Sequence, residues 1–139
     1  MRVFLGLALL LLSACGSEAT GPQARIQQFT GCVVPPGAVR VHENVGGDAS
    51  RFVVHVKVVI PKRAIDAYVA SCGFDRAALR EGYDHHGMLP ADPLVWWTPL
   101  DRQLGRGQRI EVDGDVRELV EFERDTDFAV FVRAEGAAR

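Results

Sequence analysis

Phe52, Val54, Val56, Val58 and Ile60 fall on one side of a period-two pattern, with Val53, His55, Lys57 and Val59 on the other. That spacing predicts a β-strand with one strongly apolar face. Upstream, Val39, Val41 and Val45 alternate with Arg40, His42 and Asn44, and Gly46-Gly47-Asp48 separates the two runs. Two alternating runs around a glycine-rich break predict an antiparallel hairpin. Pro61 then ends the strand and suits the first position of a helix, where its missing N–H is no loss. Ile65, Tyr68, Val69 and Cys72 follow at i, i+3, i+4 and i+7, one apolar stripe on one helix face. Gly73 stands where a left-handed cap is expected. Asp75 is placed to cap a further short turn through Ala77, Ala78 and Leu79, ending near Gly82.

The pattern returns after Gly107. Ile110 and Val112 alternate with Arg109, Glu111 and Asp113, and Asp113-Gly114 predicts a tight turn. Val116–Glu123 reads as a strand, Asp125–Asp127 as a second turn, and Phe128 to Val132 as a last strand apolar on both faces. A strand of that kind belongs inside a sheet, not at its edge. The tail from Gly136 is expected to fray. Between Gly82 and Gly107 no clean period exists, and an irregular stretch of about 25 residues in a compact domain is usually functional or hides short elements. The predicted fold is α+β: a mainly antiparallel sheet of four to five strands with one main helix packed on one face.

At the N-terminus the pattern is different in kind. Met1-Arg2 leads into the almost wholly apolar run Val3 to Leu12. One positive charge before about ten apolar residues is the layout of a secretory signal peptide, and the run is short of the about 20 needed to span a bilayer. Leu12-Ser13-Ala14-Cys15 follows and resembles the lipobox of bacterial lipoproteins. The resemblance covers only these first residues. It implies removal of residues 1–14, lipid attachment to Cys15, and membrane anchoring by more than one acyl chain, as stable attachment requires. Gly16 and Ser17 come next; with no Asp there, the resemblance implies the outer membrane, facing the periplasm, where a cell has two membranes. Ser17 to Ala24 is small and polar with a Gly21-Pro22 break. The expected organisation is therefore residues 1–14 as leader, 15–24 as lipidated end and short tether, and 25–139 as a single domain.

Charge changes the picture little. The chain carries 16 Lys and Arg against 18 Asp and Glu, net −2, and loss of Arg2 with the leader makes that −3. A nearly neutral domain with interspersed signs lacks the basic footprint of a nucleic-acid binder. Cysteine content matters more. Cys32 and Cys72 remain after Cys15, and an even pair in an oxidising compartment reads as a disulfide. Such a bridge closes a loop of about 40 residues, for which the chain-entropy relation gives roughly 4 kcal/mol. The other reading is two buried thiols that never meet.

Candidate chemistry gathers in the irregular stretch. Trp96 and Trp97 form either a binding platform or a plug over the open side of a core, and as neighbours in extended chain they can do one job each. Arg102, Arg106 and Arg109 sit close together in sequence, and a basic group there would suit an anionic partner, although Asp101 and Glu111 flank them. Asp84-His85-His86 is the one place to look for a metal, with His42 and His55 the other histidines. Adjacent histidines, however, do not readily face one ion, and three or four ligands are needed. No cofactor is implied, and the chain lacks the Gly-x-Ser-x-Gly nucleophile motif and the phosphate-binding glycine loop.

The leading expectation is a membrane-anchored, non-catalytic binding module for another envelope protein or a cell-wall component, using Trp96, Trp97 and Arg106. The alternative is an immunity or inhibitor protein acting on a toxin or a cell-wall hydrolase. A third class is a metal-dependent enzyme built on His85, His86 and a carboxylate. Between Phe29 and Ala134 the chain also resembles, through Pro35-Pro36-Gly37-Ala38, two valine strands, a Pro-started helix and a late Trp, small uncharacterised bacterial envelope lipoproteins. That likeness implies a fold more than an activity.

Overall fold

The Phe52-to-Ile60 alternation becomes the longest ladder in the protein. A computed structural model describes residues 21–98 and 104–138. Cys15, Asp101 and Arg102, with the readings attached to them, lie outside the described residues. Strands β1 (Val39–Gly47), β2 (Arg51–Pro61), β3 (Arg80–Glu81), β4 (Arg106–Val112), β5 (Asp115–Glu123) and β6 (Asp127–Ala137) form one sheet in the order β1-β2-β6-β5-β4-β3. Every neighbouring pair is antiparallel. The six strands exceed the expected four to five because β3 is a two-residue element, too short to leave a periodic trace.

β6 lies between β2 and β5, as its two apolar faces require. It pairs with all of β2, from Pro61 opposite Asp127 to Arg51 opposite Ala137. The expected frayed tail is corrected here: Gly136 and Ala137 are in the sheet, and the Ala138 N–H donates to the Ser50 carbonyl. At the outer edge, β1 is irregular between Val39 and His42, where Arg40 takes a φ of 50°.

Two helices pack on one face, not one. Helix α2 (Ile65–Ser71) carries the predicted stripe, with Ile65, Tyr68, Val69 and Cys72 all buried. Pro61 itself stays in β2, and a 3₁₀ turn over Lys62–Ala64 leads into the helix. Gly73 follows the cap with φ 90°, a conformation open to glycine and costly for other residues. Helix α1 (Pro22–Thr30) begins inside the stretch expected to be tether. Its sequence is mostly polar, and it is held by burying Ile26 and Thr30 and by resting Phe29 on Phe52, with ring centroids 5.1 Å apart. Cys32, just past α1, is bonded to Cys72 at the end of α2. The link joins the two helices above a core of Val54, Val56, Val58, Leu119, Val130 and Val132.

The second face of the sheet is also covered. Val120, Phe122, Ala129 and Phe131 project there and pack against Met88 and Trp97 from the connection between β3 and β4. That connection is the irregular stretch, and within it only His86–Met88 forms a 3₁₀ turn among the described residues. It acts as a strap that supplies the missing layer. At the far end Asp113 and Gly114, with φ 52° and 84°, make the predicted tight turn between β4 and β5.

Candidate functional site

Register decides which predicted residues meet. Position 107 opposes 120, which opposes 131, so those side chains share the strap face; position 106 opposes 121, which opposes 130, on the helix face. Arg106 is therefore on the opposite side of the sheet from Trp96 and Trp97, and the three form no common surface. Arg106 instead joins an ion cluster with Glu121, which is only 1% exposed. Its Nη1 lies 3.4 Å from Glu121, its Nε 3.2 Å from Glu81, and its Nη2 donates to the Arg76 carbonyl at 3.0 Å. Arg76 completes the cluster, donating from Nε and Nη2 to Glu121 at 3.0 Å. Arg109 is exposed on β4, on the strap face.

The two tryptophans divide their tasks. Trp97 is 6% exposed and stands edge-on to Phe131 and His55, with centroids 5.1 and 4.9 Å apart. It is the plug of the second core. Trp96 is half-buried, packs against the same core, and stacks on His42 of β1 at 5.4 Å with 11° between planes. On the strap, two large apolar side chains are exposed, Leu89 at 52% and Val95 at 96%.

The histidines do not gather. His85 and His86 stack on each other at 5.7 Å, and His86 Nδ1 lies 2.6 Å from Asp84. Hydrogen bonds from the His86 backbone and ring hold the Asp84 carboxyl below its ordinary range. His42 opposes Lys57 and His55 opposes Asn44, so each histidine meets a different tryptophan. Among the described residues no group of three or more His, Cys, Asp or Glu side chains is placed to hold a metal ion.

A feature the sequence reading missed lies under the strap. Between it and β1, β2 and β6 is a cleft of about 430 Å³, with Val53, Leu89 and Leu94 among its walls and His55 and Arg133 among its polar groups. That volume is within the span of small-ligand sites, roughly 300–1,000 Å³. His55 and Arg133 are directly opposed across β2 and β6, so their side chains start about 5 Å apart on one face. His55 Nε2 lies 3.1 Å from the Met88 carbonyl. A carbonyl only accepts, so Nε2 carries the proton and Nδ1 the lone pair. Burial, and then the charge of Arg133, push the His55 pKa down, which keeps the ring neutral.

Arg133 donates from Nη2 to Glu135 at 2.6 Å, and its Nη1 lies 3.9 Å from Glu118. Glu118 also accepts from the Tyr83 hydroxyl at 2.8 Å, and burial and that carboxylate push the Tyr83 pKa up. Glu135 is shared with Arg51 at 2.6 Å. Among the described residues, Arg133 Nε has no hydrogen-bond partner. The sequence signal for this site was slight: two polar residues, His55 and Lys57, on the less apolar face of β2, with nothing to say which residue of β6 would oppose them.

Comparison with protein-family models, curated proteins and solved structures gave no match.

Proposed function

We propose that the protein is an envelope lipoprotein, lipidated on Cys15, whose domain binds another envelope component through the strap face. The leader and the Leu12-Ser13-Ala14-Cys15 sequence support the anchor. The observation that carries the binding role is the exposure of two large apolar side chains of the strap, Leu89 and Val95, the second next in sequence to the half-buried Trp96. Apolar side chains grouped on a soluble surface mark interaction sites, and Trp is enriched where binding energy concentrates. The recognition surface is thus narrower than the sequence suggested: Trp96 belongs to it, Trp97 supports it from below, and Arg106 is elsewhere.

The test has two parts. Cells expressing the tagged full chain are fed an alkyne fatty acid; the chain should be labelled, and Cys15→Ser should abolish the label. In-cell crosslinking, followed by identification of the captured protein, is then compared between the native chain and a Val95→Asp, Trp96→Ala variant with unchanged melting behaviour. One defined partner lost in the variant is expected. Equal capture by both chains would remove the strap face from the reading, and an unlabelled chain would remove the anchor.

A further inference from the structure

The two ends of the sheet differ in chemistry. At the end marked by Pro61, three exposed segments come together. A Cβ built on Gly37 would lie 3.4 Å from Arg63 Nη2 and 3.6 Å from the Pro61 ring, so Pro36-Gly37 stands against Lys62-Arg63. Val39 opposes Val59 at the same end and is 54% exposed, and Arg40 beside it is exposed as well. The corner thus sets an apolar side chain among cations. Lys62 is paired with Glu123, and in the turn between β5 and β6 Arg124 is paired with Asp127. Asp125 adds a carboxylate to that turn, two strands away from β1. Among the described residues, neither Arg40 nor Arg63 is in an ion pair. Lys57, half-buried and opposite His42, has its pKa pushed down by burial and then by the charges of Arg40 and Arg124. Positive charge on this side of the sheet end is therefore uncompensated.

Helix α1 points to the same end. Phe29 rests on Phe52, whereas Arg25 reaches Glu43, which opposes Val56. The helix therefore runs along the sheet with its N-terminus directed toward the Pro61 end. Cys15 stands six positions before Gly21, a span of at most about 22 Å when fully extended. A lipid on Cys15 would keep that end of the domain within reach of the bilayer.

We propose that the corner formed by Pro36, Val39, Arg40 and Arg63 rests on an anionic phospholipid surface. Val39 enters the headgroup region, and the two guanidinium groups meet lipid phosphates. Interfacial attachment combines buried apolar area with attraction to anionic lipids in this way. The inference rests on the lipid anchor proposed above and gives the anchored domain an orientation. Val53, which lines the cleft together with Leu89, lies eight positions along β2 from Pro61, a rise of about 26 Å. The cleft is thus held away from the bilayer, open to a partner arriving from the compartment.

The test uses the purified lipidated chain in vesicles of phosphatidylcholine alone and of an equimolar mixture with phosphatidylglycerol. Benzoylphenylalanine replaces Val39 in one chain and, in another, Ala49, which is exposed between β1 and β2 at the opposite end. Irradiation followed by mass spectrometry reads covalent phospholipid adducts. The mixed vesicles should give adducts at position 39 and background at position 49. Adding Arg40→Gln and Arg63→Gln should lower the yield at position 39 about tenfold, through loss of attraction to the anionic surface. Both side chains are exposed, so the melting temperature should stay near the native value.

Equal yields at positions 39 and 49, a higher yield at 49, or adducts at neither overturns the orientation. An undiminished yield at 39 in phosphatidylcholine alone, or in the arginine variant, overturns recognition of anionic lipid. The same spectra show the lipid on Cys15. Its absence removes the anchor and the orientation together, whereas a lipidated chain without adducts at position 39 removes the orientation alone.

Discussion

Trp96 and Trp97 stand with ring centroids 5.9 Å apart and planes at 72°, so that adjacent residues take different places against one face of the sheet, Trp97 buried and Trp96 part-exposed. Trp97 faces Phe131 and Trp96 faces His42. Truncation should separate the two roles. Trp97→Ala empties the centre of the second core and is expected to cost about 3–5 kcal/mol. Trp96→Ala removes a half-buried ring and should cost about 1 kcal/mol or less. Urea titration followed by far-UV circular dichroism measures both, and equal losses would contradict the division.

Reduction should destabilise the domain substantially. Cys32 and Cys72 are 40 positions apart and both fully buried. The chain-entropy relation assigns such a loop about 4 kcal/mol. Guanidinium unfolding with and without a phosphine reductant should show the midpoint falling on reduction. The loss should be matched by a Cys32→Ser, Cys72→Ser variant, which reductant leaves unchanged.

The Glu121 cluster predicts a contrast between two partners of Arg76. Glu121 is buried, whereas Asp66, 3.0 Å from Arg76 Nη1, has a side chain 82% exposed. Glu121→Ala strips a buried carboxylate from two arginines and should cost about 3 kcal/mol. Asp66→Asn removes a solvated ion pair and should change stability by about 0.5 kcal/mol or less. Denaturant midpoints of the two variants give the comparison directly.

His55 sets a pH dependence. Its folded pKa is pushed below the usual 6.5 by burial and by Arg133. The groups packed around it are the Arg133 guanidinium with its carboxylates Glu118 and Glu135, the Met88 carbonyl and the Trp97 ring. As pH falls below about 6.5, the unfolded chain binds a proton that the folded ring resists, so stability falls with pH until the folded pKa is reached. Above 6.5 the contribution is complete. Melting temperatures measured from pH 7.5 to 5.5 should decline through this window, and His55→Gln should flatten that part of the curve. An unchanged slope in the variant would assign the decline to other groups.

Much of the fold is legible in the chain because strong periods leave a trace. β2, the α2 stripe, the Asp113-Gly114 turn and the interior position of β6 all follow from spacing. Helix α1 does not, since nine mostly polar residues bury only Ile26 and Thr30. Its existence depends on tertiary packing and the Cys32 link, not on propensity. β6 carries one further signal. A strand apolar on both faces needs two covering layers, and once the helices take one face, only the irregular stretch is left to cover the other. Trp97 as plug follows from that argument. The His55–Arg133 pair could not be read in the same way, because strand register brings them together and neither residue's neighbours in sequence fix it.

The irregularity at Arg40 has a consequence for solubility. β2 and β6, the valine- and phenylalanine-rich strands most able to template further strands, are both shielded inside the sheet. Of the two rims, one is the two-residue β3 with the rest of β4, and the longer strand at the other is β1. There the ladder is interrupted between Val39 and His42, with Arg40 held at a positive φ. A rim with a kink and a charged side chain is a poor surface for a second sheet to extend. Straightening it, for example by an Arg40→Val change that favours a regular extended backbone, would turn the margin of the domain into a growth point for polymers.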